Sequence, residues 1–425
     1  MLKQIITTLK EYKYRNYKNA YDIPWKILQH IKINKNQTRK ISIAILNTPC
    51  HGFGDLIFVH KLAGYLIDWY ECKVDIYTTL SEKLKSLDKD TKYSIYSLSN
   101  NKRNQCRHLK HLKKINKKYD LYFVAPIPTE FNPQLSDVKS ICKSSNSFNT
   151  YFFSEYNHPQ YTKFDFPTGI SKKRCGLLLT NPIISNKPIL VGKYIFCYIS
   201  DNVPLAMKCF LSFLELVIFK YKEISKLQVV VPKWITKEIL SKPEKIKEIN
   251  NKYQTIIIED DKEYIHQNTI QNNKTIIFKG NIFPISNKLM LNLMKYSLND
   301  ILLTGDQSIT DVLSCCSNKN IFYQIAPWKE SFGKQLAKML PNKYLFSKKT
   351  SCGTIQAIRY DSNYQKFIKK YDFRKINRNK LNGIINFAVI LKDNNKKSHI
   401  LKKYVHYTLK SRKIKTLLNK IINYN

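Results

Sequence analysis

Short apolar, β-branched runs alternate along most of this chain with segments whose apolar residues recur at helical spacing. That alternation has few structural solutions. Strands buried on both faces and joined through helices lie parallel, with the helices packed on either side of the sheet. Ile41–Asn47 reads as the first strand, Leu56–Tyr70 as a helix and Lys73–Thr79 as a strand. Gln105–Lys118 reads as a basic helical stretch, and Asp120–Pro126 as a further strand. Residues 127–192, richer in Asn, Ser, Pro and Tyr, read as loops and a connection between domains.

A second series then begins. Strands are expected at Lys193–Ser200, Leu227–Val231, Gln254–Ile258, Thr275–Lys279, Asp300–Thr304 and Asn320–Gln324. The helices between and after them are Pro204–Lys222, Trp234–Asn250 broken at Pro243, Ser286–Ser297, Gln307–Cys316 and Trp328–Leu340. The expected fold is α/β, with two Rossmann-like domains facing a central cleft. The first spans 1–185, the second 190–360, and a basic helical extension runs over 361–425. A chain of 425 residues accommodates two such domains.

Lys and Arg number 72 against 31 acidic residues, a formal charge of +41. A polyanionic partner would explain this, as nonspecific contact at the least. Composition explains it better, because lysines are spread over the whole chain while Gly is down to 11, as AT-rich coding sequence would produce. The ten cysteines form no CxxC pair and lie mostly in apolar segments, which fits buried thiols in a reducing compartment. The longest apolar run, Cys209–Phe219, is too short to span a bilayer and contains Glu215, and the N-terminus has no signal-peptide core. The expectation is an intracellular, soluble, cytoplasmic protein without a transmembrane segment. If the AT-rich composition is viral, a virion or viral factory is the alternative.

In open α/β sheets, ligands bind beyond the carboxyl ends of the strands. Two glycine turns stand there. His51-Gly52-Phe53-Gly54-Asp55 follows the first strand, and two scarce glycines so close together imply a tight turn and close backbone approach. Asp55 is either the cap of the next helix or a carboxylate placed as a base. The second turn is Thr304-Gly305-Asp306-Gln307-Ser308-Ile309. The N–H groups of Gln307, Ser308 and Ile309 fall at a helix N-terminus, whose dipole favours a phosphate, and Asp306 or Ser308 could instead cap that helix. Lys279, before Gly280, could meet a diphosphate as a point charge or stand solvated. Tyr323 and Gln324 offer aromatic and amide groups to a base or sugar, with Tyr323 equally suited to the core. Glu259-Asp260-Asp261 reads as a solvated turn, and Cys106, His108 and His111 as the surface of a basic helix, so no metal site is expected.

The stretch from Gly280 to Lys329 resembles the nucleotide-sugar-binding half of GT-B glycosyltransferases, in particular the protein-arginine rhamnosyltransferase family. There a Leu-Pro loop precedes a helix, and a Gly-Glu-Asp-Ser turn follows the next strand. Here the turn reads Gly305-Asp306-Gln307-Ser308, and Thr304 stands where that family has Arg. The Phe53-Gly54-Asp55 turn resembles that family's Phe-Gly-Asp turn and the Gly-Asp turn of heptosyltransferases. Together the two segments cover about 70 residues. The resemblance implies an inverting, metal-independent transfer from a nucleotide sugar to an acceptor that could be a glycan, a protein or a lipid-linked sugar, with no further cofactor. The first domain would hold the acceptor with Asp55 as base. The donor would lie on Gly305, Asp306, Gln307, Ser308 and Ile309, with Lys279, Tyr323, Gln324 and the Gly52 and Gly54 turn contributing. The alternative is a noncatalytic basic protein on a GT-B-like fold, contacting nucleic acid or another polyanion.

Overall fold

The computed structural model describes residues 40–338, other than 50–52, 88–90, 100–108, 110–111, 130–132, 148, 171–173, 175, 179–183, 204–205, 247–248, 250 and 317–318. The expected extension over 361–425 and the Cys106, His108 and His111 group lie outside the described residues. The chain divides into two compact units at Leu179–Thr180.

The first unit runs β1 (Ser42–Asn47), α1 (Gly54–Tyr70), β2 (Lys73–Thr78), α2 (Ser81–Leu87), β3 (Ser94–Ser97), β4 (Leu121–Ile127), α3 (Leu135–Ile141) and β5 (Thr150–Ser154). The strands form one parallel sheet in the order β3-β2-β1-β4-β5. Central β1 reads as an unbroken apolar run because both of its faces are covered: Ile43, Ala44, Ile45 and Leu46 are fully buried. Leu56, Val59, Leu62, Ala63 and Leu66 of α1 are buried in the same core. Each such large side chain contributes about 1.5–3 kcal/mol of burial. Helix α1 stops where Glu71 turns left-handed (φ 56°), with Glu71 N–H on Ile67 O and Cys72 N–H on Leu66 O.

Two expectations fail in this unit. Residues 112–120 are irregular chain, not the end of a helix from Gln105. Leu112, Ile115 and Tyr119 do bury themselves at near-helical spacing. Their stretch nevertheless satisfies its backbone elsewhere, with Lys113 N–H on Leu98 O and Ile115 N–H on Ile141 O. Lys117 Nζ and the Tyr119 hydroxyl both meet the buried carboxylate of Asp75, each at 2.5 Å. The region after residue 127 is not all loop either, since α3 and β5 lie in it.

The second unit runs β6 (Tyr194–Tyr198), α4 (Ala206–Lys220), β7 (Lys226–Val230), α5 (Lys233–Ser241), β8 (Thr255–Glu259), β9 (Glu263–Gln267), β10 (Thr275–Lys279), α6 (Asn287–Tyr296), β11 (Asp300–Thr304), α7 (Asp306–Cys315), β12 (Asn320–Gln324) and α8 (Glu330–Lys338). The sheet order is β12-β11-β6-β7-β10-β8-β9, parallel except for β9, which runs antiparallel to β8. Pro243 does end α5, in a short 3₁₀ turn. Ser286 caps α6 by accepting from the Leu289 N–H, so that helix starts one residue later than expected. Cys142, Cys197 and Cys209 are buried thiols. Among the described residues, no helix is long and apolar enough to cross a membrane.

Candidate functional site

Each parallel sheet has a point where the strand order reverses direction, and the chain ends flanking that point open a crevice. In the first unit the reversal lies between β1 and β4. Asn47 ends β1 there, fully buried, and its Nδ2 donates to Ala125 O on β4 at 3.0 Å. Thr78 Oγ1, at the end of β2, donates to Asn47 Oδ1 at 2.8 Å. One amide thus ties the carboxyl ends of three adjacent strands. Helix α1 follows β1 in the chain. Gly54 is the first helical residue, and the residue in the cap position is Phe53 (φ −93°, ψ −10°), with no side-chain cap bond. Asp55 is therefore a half-buried carboxylate in the first turn, where the dipole favours its charge, and it is not the cap. Gly52 lies outside the described residues.

In the second unit the reversal lies between β6 and β11, and Gly305 stands at the end of β11. Its backbone is left-handed (φ 76°, ψ 149°), a region that disfavours any residue with a Cβ. Among the described residues, a Cβ placed there would meet nothing within 4 Å, so they leave the space over the turn open. Helix α7 begins at Asp306, one residue earlier than the sequence suggests. The shift gives Ile309 a different job: its N–H bonds Gly305 O at 3.4 Å, and its side chain is fully buried. Asp306, Gln307 and Ser308 supply the N–H groups of the first turn, which have no acceptor one turn back in the helix.

Asp306 sits in that first turn nearly buried, 3.0 Å from Lys329, whose side chain is mostly buried. Nothing in the sequence distinguishes Lys329 among 72 basic residues, and it comes into play only through the turn after β12. Tyr323 is a core residue, its ring edge-on to Phe332 at 6.2 Å. Its hydroxyl is buried without a hydrogen-bond partner among the described residues. Burial, and then the charge of Asp306, hold that phenol well above its usual pKa, so it stays protonated.

Gln324 is fully buried and already engaged. Its Nε2 donates to Ser200 O and its Oε1 accepts from Ser200 N–H, both at 3.0 Å. Its carbonyl accepts from Thr304 Oγ1 at 3.1 Å. It crosses β11 to hold the end of β6, which is the role Asn47 plays in the first sheet. Lys279 is also engaged, by Glu259 at 2.5 Å on the neighbouring strand. The acidic turn that follows Glu259 is ion-paired rather than simply solvated, since Lys233 reaches both Asp260 and Asp261. In the second unit the structure thus gathers Gly305, Asp306, Gln307 and Ser308, with Lys329 against Asp306. Gln324 and Lys279 have their polar ends spent on neighbours.

No family model matches the chain, and no curated protein does. Among solved structures it is similar to the glycosyl transferase family 9 protein from Veillonella parvula DSM 2008, at 9% identity and a TM-score of 0.37 over 78% of this chain and 95% of that one. It is similar to the lipopolysaccharide outer core galactosyltransferase WaaB in its apo form, at 12% identity and a TM-score of 0.39 over 85% of this chain and 100% of that one. A third similar structure is TibC from enterotoxigenic E. coli H10407, an iron-containing dodecameric glycosyltransferase, at 8% identity and a TM-score of 0.29, over 69% and 63% of the two chains.

Proposed function

We propose that this chain is a glycosyltransferase that takes its sugar from a nucleotide-sugar donor, inverting at the anomeric carbon without a metal. The observation that carries the reading is the Gly305 turn: left-handed, open above, at the reversal point of a parallel sheet and at the start of a ten-residue helix. The N–H groups of the first turn of α7 would hold the diphosphate. As the bond from the anomeric carbon to the phosphate oxygen breaks, negative charge grows on the leaving nucleotide, and those fixed dipoles stabilise it. Asp306 alone would repel that charge, and Lys329 at 3.0 Å offsets it. In the first unit Asp55 would take the proton from the acceptor hydroxyl as its oxygen bonds to the anomeric carbon.

The test is thermal stability across a panel of nucleoside diphosphates and nucleotide sugars, followed by transfer and donor-hydrolysis assays with whichever donor protects. Gly305→Val should lose the protection, because it strains the turn and projects a side chain over the phosphate's approach. Asp55→Asn should keep the protection and lose turnover by roughly two to four orders of magnitude, the usual weight of acid–base catalysis. A folded Gly305→Val chain that binds with unchanged affinity would remove the donor assignment. Wild-type turnover in Asp55→Asn would remove Asp55 from the mechanism. Protection by no nucleotide and turnover with no donor would favour the noncatalytic basic protein.

A further inference from the structure

In a parallel sheet the strand starts line one edge and the strand ends the other, and in the second unit the two edges differ in charge. At the strand-end edge each lysine named above meets a carboxylate: Lys279 with Glu259, Lys233 with Asp261 and Lys329 with Asp306. At the strand-start edge, Lys193, Lys226 and Lys274 stand at or just before the starts of β6, β7 and β10, three neighbouring strands about 4.8 Å apart. Among the described residues no carboxylate pairs with any of the three. Asp300 at this edge is buried and bonded to Lys220 and Tyr221, and Glu223 is exposed 3.9 Å from Lys222. Composition alone would make the two edges alike. Helix dipoles account for Lys220 and Lys295 in the last turns of α4 and α6. They do not account for lysines on strand starts.

The same edge carries an apolar loop, Lys187-Pro188-Ile189-Leu190-Val191-Gly192-Lys193, running into β6. Ile189 is 46% and Val191 85% exposed. Isolated exposed apolar residues are ordinary, but these are held in place by two buried amides. Asn292 on α6 donates to Lys187 O at 2.9 Å and accepts from the Ile189 N–H at 3.1 Å. Gln228 on β7 donates to Val191 O at 2.7 Å and stands where a Cβ on left-handed Gly192 would fall. Phe219, 51% exposed in the last turn of α4, belongs to this edge too.

We propose that the strand-start edge of the second unit is a peripheral membrane surface, with Ile189 and Val191 entering the headgroup region of an anionic bilayer and the flanking lysines meeting its phosphates. A fixed apolar protrusion ringed by lysines matches a bilayer interface, where apolar burial and anionic attraction act together. Nucleic acid would satisfy the lysines but would leave Ile189 and Val191 in water. The inference is independent of sugar transfer.

The experiment uses the full chain, sedimented with vesicles of phosphatidylcholine alone or of phosphatidylcholine and phosphatidylglycerol in equal parts. Wild type should pellet with the mixed vesicles and be released by high salt. Val191→Asp should bind them about tenfold more weakly, and so should the pair Lys193→Glu and Lys226→Glu, both without a change in melting temperature, since all three side chains are exposed. Val191→Trp should gain emission that brominated acyl chains quench beyond the wild-type level. No pelleting of the wild type with mixed vesicles would overturn the proposal. So would wild-type binding by Val191→Asp, or Val191→Trp emission that brominated lipid does not quench. RNA retention lost in the lysine pair, with no such quenching, would assign the edge to nucleic acid instead.

Discussion

Lys319 precedes β12 at 2% exposure, donating to the carbonyls of Ser297 and Leu298 just past the end of α6. Those carbonyls lie beside the negative end of the α6 dipole, so a cation there is well placed. Burial nevertheless lowers its pKa from 10.5 to about 8, with Cys316 and Asp300 only partly offsetting. The unfolded chain keeps the proton up to about 10.5 while the folded chain releases it near 8. Between those values the unfolded state binds more protons, so this lysine makes stability rise with pH. The buried thiols Cys72 and Cys142 act the other way above pH 9, because burial raises them to about 12 and the folded chain then binds more protons. Comparison with Lys319→Met cancels the thiols, which both proteins share. From pH 7 to pH 9.5 the melting temperature of the wild type should rise relative to that of the variant. A constant gap would mean that Lys319 titrates as it does in the unfolded chain.

At the scale of elements, both sheets solve one problem in the same way. Where the strand order reverses, neighbouring strand ends have no helix between them, and a buried amide spans the gap: Asn47 in the first sheet and Gln324 in the second. Gln324→Leu should therefore cost about 1–3 kcal/mol for each Ser200 backbone group left unsatisfied, read as a lower denaturant midpoint. If the midpoint does not move, Ser200 finds other partners and the amide is available to a ligand. Sequence alone suggests the ligand role, because an amide at a strand end faces the crevice, whereas its engagement depends on a residue 124 positions away. The central strands were legible because burial on both faces leaves an apolar run that only a strand of that length explains. Strand β9 was not, since Glu263–Gln267 is exposed throughout and carries no burial pattern to read. The stretch before β4 misled for the opposite reason: its buried Leu112, Ile115 and Tyr119 keep helical spacing while its backbone bonds to other elements. The Gly305 turn was visible through glycine scarcity, and the ion pair of Asp306 with Lys329 was hidden by lysine abundance.

At the scale of the whole molecule, each unit has a core of its own. Ile43, Ile45, Leu46 and Phe123 are fully buried in the first sheet, and Ile195, Phe196, Leu302 and Leu303 in the second. Two cores in one chain need not melt as one, and two-state behaviour belongs to single domains. Calorimetry on the full chain should resolve two transitions. Leu46→Ala and Leu303→Ala each remove a fully buried side chain from an inner strand, at a cost of about 2–5 kcal/mol. Leu46→Ala should lower one transition and leave the other, and Leu303→Ala should do the reverse. A nucleotide that binds at the Gly305 turn should then raise only the transition that Leu303→Ala lowers, because a ligand stabilises the state that binds it and no other. The pairing assigns a ligand to a unit without any assay of turnover. A nucleotide that raised the transition lowered by Leu46→Ala would move the donor to the first sheet, and with it the role of the Gly54-Asp55 turn. A single transition shifted by both variants would mean that the two cores unfold together.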